Sequence, residues 1–326
     1  MDQGDAPGLA VPARTIPIPK SVSPEAQAML AQASPYGQGA EPDPSDKAAW
    51  ERYAAERNAG LTQMVAARFA AEQDAVAISE HQLANAVLYE VAPKDLAPPD
   101  EHRAILYVHG GGFTVGGGVA AAWSAAGLAA ATKLRTFSID YRMPPRSPFP
   151  AGLDDAVEAY WFLLKRYAPQ HLGVYGPSAG GGLAASCLLR ARDLGLAMPA
   201  ACVLHSPEAD LTESGDTFET NLGVDGVLGR LTKSIALYAD GHDLEDPYLS
   251  PLFGDFTKGF PPTLLTSGTR DLFLSNTVRM HRALLRAGIP AELHVWEAMG
   301  HAGFFGAAPE DREMFLEQAR FLRERL

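Results

Sequence analysis

The chain has 326 residues, 47% hydrophobic and 20% charged, which suits one large domain with an appended cap better than two independent domains. A net charge of −12 with no run of Lys and Arg excludes nucleic acid and anionic membrane surfaces as expected partners, and no apolar run of about 18 residues could span a bilayer. Two cysteines, Cys187 and Cys202, frame no disulfide network and read as buried thiols, and no metal-ligand spacing, P-loop, heptad run or internal repeat is present.

The amino terminus is acidic and Pro-rich, with no basic region followed by an apolar core, so it is no secretory signal and a cytoplasmic location is expected. Residues 1–20 read as a flexible arm. A short helix opens at Ser23-Pro24-Glu25 and runs through Gln32, and a longer helical pattern spans Asp46 to Ala71, carrying Trp50, Tyr53, Leu61, Met64, Val65 and Phe69. Strands follow near Ala75–Ser79, Ala86–Val91 and Arg103–His109, and from there strand and helix alternate to Leu326. Helices are expected at Ala120–Ala131, over the run AVEAYWFLLKRY that Asp154 and Asp155 precede as cap residues, at Gly181–Leu194 and at Thr277–Ala287. Between about Ala209 and Pro251 the alternation lapses into a Gly-containing stretch with one helical piece, Leu231 to Asp240, which reads as an insertion. The pattern calls for an α/β fold with a mainly parallel sheet flanked by helices. Its expected layout is N-terminal helices over residues 21–74, a core over 75–208, a cap insertion over 209–250 and the rest of the core over 251–326.

Two strand-to-helix turns carry the chemistry. Gly176-Pro177-Ser178-Ala179-Gly180 matches GxSxG, in which small neighbours let the backbone bend sharply and lift the serine hydroxyl clear of a sheet. His109-Gly110-Gly111-Gly112 follows an upstream strand, and such a glycine loop can aim backbone N–H groups at an oxygen that becomes negative when a carbonyl is attacked. Downstream, Asp271 lies just past the strand TLLTSG, and His301 lies in MGHAG past the strand ELHVW. Nucleophile, acid and base thus follow in the order Ser, Asp, His, all beyond the carboxyl ends of strands.

Blander readings compete residue by residue. GxSxG occurs by chance on ordinary turns, and Asp271 could be a helix cap with no chemistry. Among the other histidines, His205, His281 and His294 read as packed or solvated, and His109 as a brace for its loop. The glycines at Gly110–Gly118 could be mistaken for a dinucleotide loop, but His109 before them and the serine elbow after them favour an oxyanion loop. Met64, Phe69, Phe218, Leu222 and Leu228 read equally as pocket lining or as lid core.

The segments HGGGF, GPSAGG, DYRMPPRSPFPA (Asp140–Ala151) and DPYLSP (Asp246–Pro251), with the contexts of Asp271 and His301, resemble the bacterial hormone-sensitive-lipase group of α/β-hydrolase esterases, and within it the monoterpene ε-lactone hydrolases. The likeness runs from about Ile16 to the C-terminus. It implies Ser178 as nucleophile, His301 as general base and then acid, Asp271 as the carboxylate that orients the imidazole, and an oxyanion hole from the N–H groups of Gly111, Gly112 and Ala179. It further implies a lid of N-terminal and inserted helices, a short- to medium-chain hydrophobic ester or a lactone as substrate, and no cofactor or metal. Three positions depart from the family pattern: Pro177 replaces an Asp, Arg146 a Glu and Glu208 a Trp. Two further readings stay open on the same fold, an amidase or carbamate hydrolase and a non-catalytic small-molecule binder, although a pure receptor need not keep a complete triad. The alternating ELHVWE segment could pair with its copy to give a symmetric homodimer.

Overall fold

The computed structural model describes residues 8–32, 41–301 and 303–326, so residues 1–7 of the expected arm lie outside the described residues. Helices α1 (Pro24–Gln32), α2 (Lys47–Arg68) and α3 (Ala70–Gln73) come first. Asp46 caps α2 by accepting the N–H of Ala49 at 2.9 Å, which satisfies one of the donors that every helix start leaves without an intrahelical partner.

The strands are β1 (Val76–Gln82), β2 (Val87–Pro93), β3 (Ala104–Val108), β4 (Arg135–Asp140), β5 (Leu172–Pro177), β6 (Ala201–His205), β7 (Thr263–Gly268) and β8 (Ala291–Trp296). They form one eight-stranded sheet in the order β1-β2-β4-β3-β5-β6-β7-β8. Antiparallel pairing is confined to β2, against β1 and β4, and every pair from β4 to β8 is parallel. Interspersed are α4 (Val119–Thr132), α5 (Ala151–Leu164), α6 (Ala179–Asp193), α7 (Thr217–Thr220), α8 (Thr232–Ala239), α9 (Leu274–Arg286) and α10 (Pro309–Arg325).

Strand alternation sorts the core into two layers. On β3, Ala104, Leu106 and Val108 join the side covered by α5, α6 and α9, while Ile105 and Tyr107 join the side covered by α4 and α10. All five residues are buried, as expected of a strand covered on both faces. Both cysteines are free and buried. Among the described residues no helix is long and apolar enough to cross a membrane.

Two helix starts differ from the sequence reading by three residues or more. Helix α5 begins at Ala151, so Asp154 and Asp155 lie inside its first turns rather than capping it. Asp155 is fully buried because Arg142 meets it with Nε and Nη2 and its backbone N–H adds a further bond, while Asp154 pairs with Arg190 at 2.8 Å. Helix α9 starts at Leu274, three residues earlier than the apolar periodicity suggested, because the turn at Asp271 leads straight into it.

The long β6–β7 connection carries α7 and α8. It meets the N-terminal segment through Lys233 Nζ, which donates to the Glu41 carbonyl at 2.7 Å, and Ser234 N, which donates to the Glu41 carboxylate at 3.2 Å. From α2, Asn58 Oδ1 accepts the N–H of Gly116 at 2.7 Å in the glycine loop.

Candidate active site

The turn between β5 and α6 places Ser178 at φ 56 and ψ −132, a strained conformation for a residue with a side chain. The turn is locked from both sides: Ser178 N donates to the His205 carbonyl at 2.8 Å, and Ser178 O accepts from Gly181 at 2.8 Å and Glu208 at 3.0 Å. Gly180 is required for this closeness, since a Cβ there would lie 2.1 Å from the Val108 carbonyl oxygen. Pro177 fits because it ends β5, where its missing N–H costs little, and the sharp turn is present with proline before the serine.

His301 stands at the serine. Its Nε2 lies 2.8 Å from Ser178 Oγ and its Nδ1 lies 3.1 Å from Asp271 Oδ1. A carboxylate can only accept, so Nδ1 carries the proton toward Asp271 and the Ser178 hydroxyl donates to Nε2. Asp271 is fully buried and takes further hydrogen bonds from the hydroxyls of Ser206 and Ser267 and from the N–H of Phe273 at 2.9 Å. Burial alone would raise its pKa, but the His301 charge and the bonds from His301, Ser206 and Ser267 outweigh it and hold the carboxyl at about 2. Burial pulls His301 down, yet the Asp271 hydrogen bond, the Asp271 charge and the Asp225 charge together leave its pKa raised. The edge of Phe273 packs against the His301 ring, with centroids 4.8 Å apart.

The glycine loop abuts Ser178, because a Cβ on Gly110 would lie 3.1 Å from Ser178 Cβ. Gly111 and Gly112 take φ values of +126 and +56, and Ala179 is the first residue of α6, where a helix leaves its N–H groups free to point at an anion. His109 braces the loop as expected: Nδ1 donates to the Gly110 carbonyl at 2.8 Å, the ring stacks on Tyr141 at 4.2 Å, and Tyr141 Oη donates to the His109 carbonyl at 3.0 Å. Burial lowers the His109 pKa.

His205, His281 and His294 have structural partners. His205 meets Thr266 Oγ1 at 3.0 Å and burial drives its pKa to about 4, His281 meets the Ala291 carbonyl at 3.3 Å, and His294 pairs with Glu317. Of the two charge departures, Arg146 pairs with Glu51 of α2 at 3.0 Å on the surface, whereas Glu208 is buried with neither carboxylate oxygen hydrogen-bonded among the described residues. Phe69 packs on Gly127 of α4 and Phe218 on Phe273, so both act as packing residues.

Two residues of the β6–β7 connection that the sequence did not single out reach this site. Asn221 Nδ2 donates to the Asp271 carbonyl at 2.9 Å and to the Thr269 carbonyl at 3.2 Å. Asp225, fully buried, accepts the N–H groups of Leu272 and His301. Their only sequence signal was an acid and an amide inside an insertion, because both act on backbone atoms far away in the chain.

Residues 105–305 match the family model described as alpha/beta hydrolase fold. An acetyl-hydrolase of Streptomyces hygroscopicus is 34% identical over 226 residues, covering 68% of this chain and 75% of that protein. An esterase of Acinetobacter venetianus is 29% identical over 225 residues, covering 67% of this chain and 74% of that protein. Among solved structures, that of esterase E25 superposes with a TM-score of 0.87 at 33% identity, covering 98% of this chain and 99% of that one. An esterase from the bacterial hormone-sensitive lipase family superposes with a TM-score of 0.76 at 27% identity, covering 93% of this chain and 98% of that one.

Proposed function

The chain belongs to the α/β-hydrolase fold family and is an ester-hydrolysing serine hydrolase, and from that premise we propose that it works as a carboxylesterase through Ser178, His301 and Asp271. The observation that carries this reading is the unbroken hydrogen-bond relay from Ser178 Oγ through the His301 ring to Asp271, at 2.8 and 3.1 Å, on a strained turn beside the glycine loop.

In this reading Ser178 Oγ attacks the ester carbonyl while its proton passes to His301 Nε2, and Asp271 stabilises the imidazolium that forms. The N–H groups of Gly111, Gly112 and Ala179 hold the tetrahedral oxyanion, each donor of this kind being worth roughly 3 kcal/mol. Collapse expels the alcohol, which takes the proton from His301 and leaves an acyl group on Ser178. Water, deprotonated by His301, then attacks the acyl-enzyme and releases the acid.

Residues 21–74, of which 33–40 lie outside the described residues, and 209–250 form a cap over this edge of the sheet, a reading supported by the Glu41 contacts to Lys233 and Ser234. The substrate is a short- to medium-chain hydrophobic ester, with lactones included because ring opening needs the same attack. A binder without chemistry would have no use for the relay, and no residue favours an amide or carbamate over an ester.

Hydrolysis of p-nitrophenyl esters from acetyl to palmitoyl, and of ε-caprolactone, tests the proposal. Ser178→Ala should lower kcat on the order of 10⁶-fold while leaving the fold intact. A variant that kept wild-type turnover would overturn the assignment, and a steady rise of kcat/KM up to palmitoyl would overturn the chain-length range.

A further inference from the structure

The β6–β7 connection grips the acid and base loops from one place. Asp225 Oδ2 accepts the N–H of Leu272 at 2.8 Å, the residue after the acid, and the N–H of His301 itself at 3.3 Å. Oδ1 serves its own turn, accepting the N–H groups of Val227 at 2.8 Å and Leu228 at 3.2 Å. Asp225 N in turn donates to the Asn221 carbonyl at 3.0 Å, and the Asn221 side chain donates to the Asp271 carbonyl at 2.9 Å. One turn therefore holds the peptide between Asp271 and Leu272 by both its C=O and its N–H, and the backbone N–H of His301.

We infer that Asp225 is a positioning residue for ester hydrolysis, a carboxylate from the insertion that sets where the His301 ring stands relative to Ser178 and Asp271. The inference rests on the triad reading above. Asp225 touches no reacting atom and acts through His301. Four backbone donors converge on it and a fully buried carboxylate needs such donors to stay in place, so its geometry is well determined. An amide of the same shape can accept from one pair of these donors but presents its own N–H₂ to the other pair, which opens the link either to the insertion's turn or to the two loops. A base displaced by about 1 Å can cost on the order of 10²-fold in rate.

Charge gives a second readout. The titratable groups facing His301 are Asp271 from the loop after β7, Asp225 from the insertion and His205 from the end of β6. Asp225 adds a negative charge that favours the imidazolium, so removing it lowers the pKa of the base and moves the acid limb of kcat/KM to lower pH.

The test compares wild type, Asp225→Asn, Asn221→Ala and Ser178→Ala on p-nitrophenyl butyrate, with thermal melting to follow the fold. Asp225→Asn should lose kcat by about 10- to 100-fold with KM within about threefold, and its acid limb should shift to lower pH. Asn221→Ala, which changes no charge, should lose kcat by about three- to tenfold with the acid limb unmoved, and it carries the test if Asp225→Asn does not fold. Retention of kcat within about threefold in the folded variants, or an acid limb in Asp225→Asn that stays at the wild-type pH, would refute the positioning role. Ser178→Ala separates the two levels: its full activity would sink the triad reading, whereas an inactive Ser178→Ala beside an unaffected Asp225→Asn and Asn221→Ala sinks only this inference.

Discussion

Glu208 holds its carboxyl inside the molecule, and burial, with the charges of Glu213 and Glu41 adding to it, pushes its pKa up to about 8 from an ordinary 4.5. Between those two values the folded chain binds a proton that the unfolded chain has released, so stability falls as pH rises from about 4.5 to about 8 and is level beyond. Gln at this position cannot ionise. Urea midpoints should therefore show Glu208→Gln gaining on the wild type steadily between pH 5 and pH 8, then holding a constant lead, and a difference independent of pH would contradict this account. His301 makes the complementary statement about activity. In the proposed mechanism its base form is needed for attack, and its pKa is raised above the ordinary 6.5, so kcat/KM should fall as pH drops through a midpoint above that value. A pH profile whose acid limb lies below 6.5 would show that the Asp271 and Asp225 charges do not reach the ring as their hydrogen bonds imply. Ser178, Asp271 and His301 were legible because each sits at the end of a strand with a recognisable turn around it. Glu208 was visible only as a departure from a pattern, because the chemistry of a buried carboxyl depends on its burial and on neighbours such as Glu41 that are distant in sequence.

At the scale of elements, the turns were easier to read than the helix ends. The glycine loop was placed by its motif, and its conformation explains why: a Cβ on Gly111 would lie 2.0 Å from the Val115 carbonyl oxygen, at a φ of +126 that side chains rarely adopt. Gly111→Ala must therefore displace the loop, and because the core strands do not depend on it, the loss should fall on turnover. Measured on p-nitrophenyl butyrate, kcat should drop by about 10²-fold or more with little change in melting temperature, and an active Gly111→Ala would remove this loop from the proposed oxyanion hole. Helix starts were misplaced for a different reason. Periodicity registers apolar faces, whereas α5 begins with Ala151, Gly152, Leu153 and the paired carboxylates Asp154 and Asp155, and α9 begins in Leu274, Ser275 and Asn276 directly after the Asp271 turn. Tertiary partners such as Arg142 fixed those first turns, and no local propensity reports them.

The whole molecule ends its sheet on β8, which pairs only with β7 and leaves its other edge without a strand among the described residues. The edge is partly guarded. Glu292 pairs with Arg325 at 2.9 Å and His294 pairs with Glu317, both partners coming from α10, so charge lies along one face of the strand, while Val295 is 40% exposed. Those ion pairs are side-chain contacts and leave the outer backbone N–H and C=O groups free to pair with a second copy of the strand, which by two-fold symmetry would run antiparallel and extend the sheet across two chains. A pair held this way would sediment at twice the 34.7 kDa of the chain. Val295→Lys adds a charge to the edge that the like charge of its own copy would oppose, so it should shift the population toward monomer with melting temperature little changed. Sedimentation of the wild type as a monomer at micromolar concentration would remove the dimer, and a dimer insensitive to Val295→Lys would move its interface away from β8.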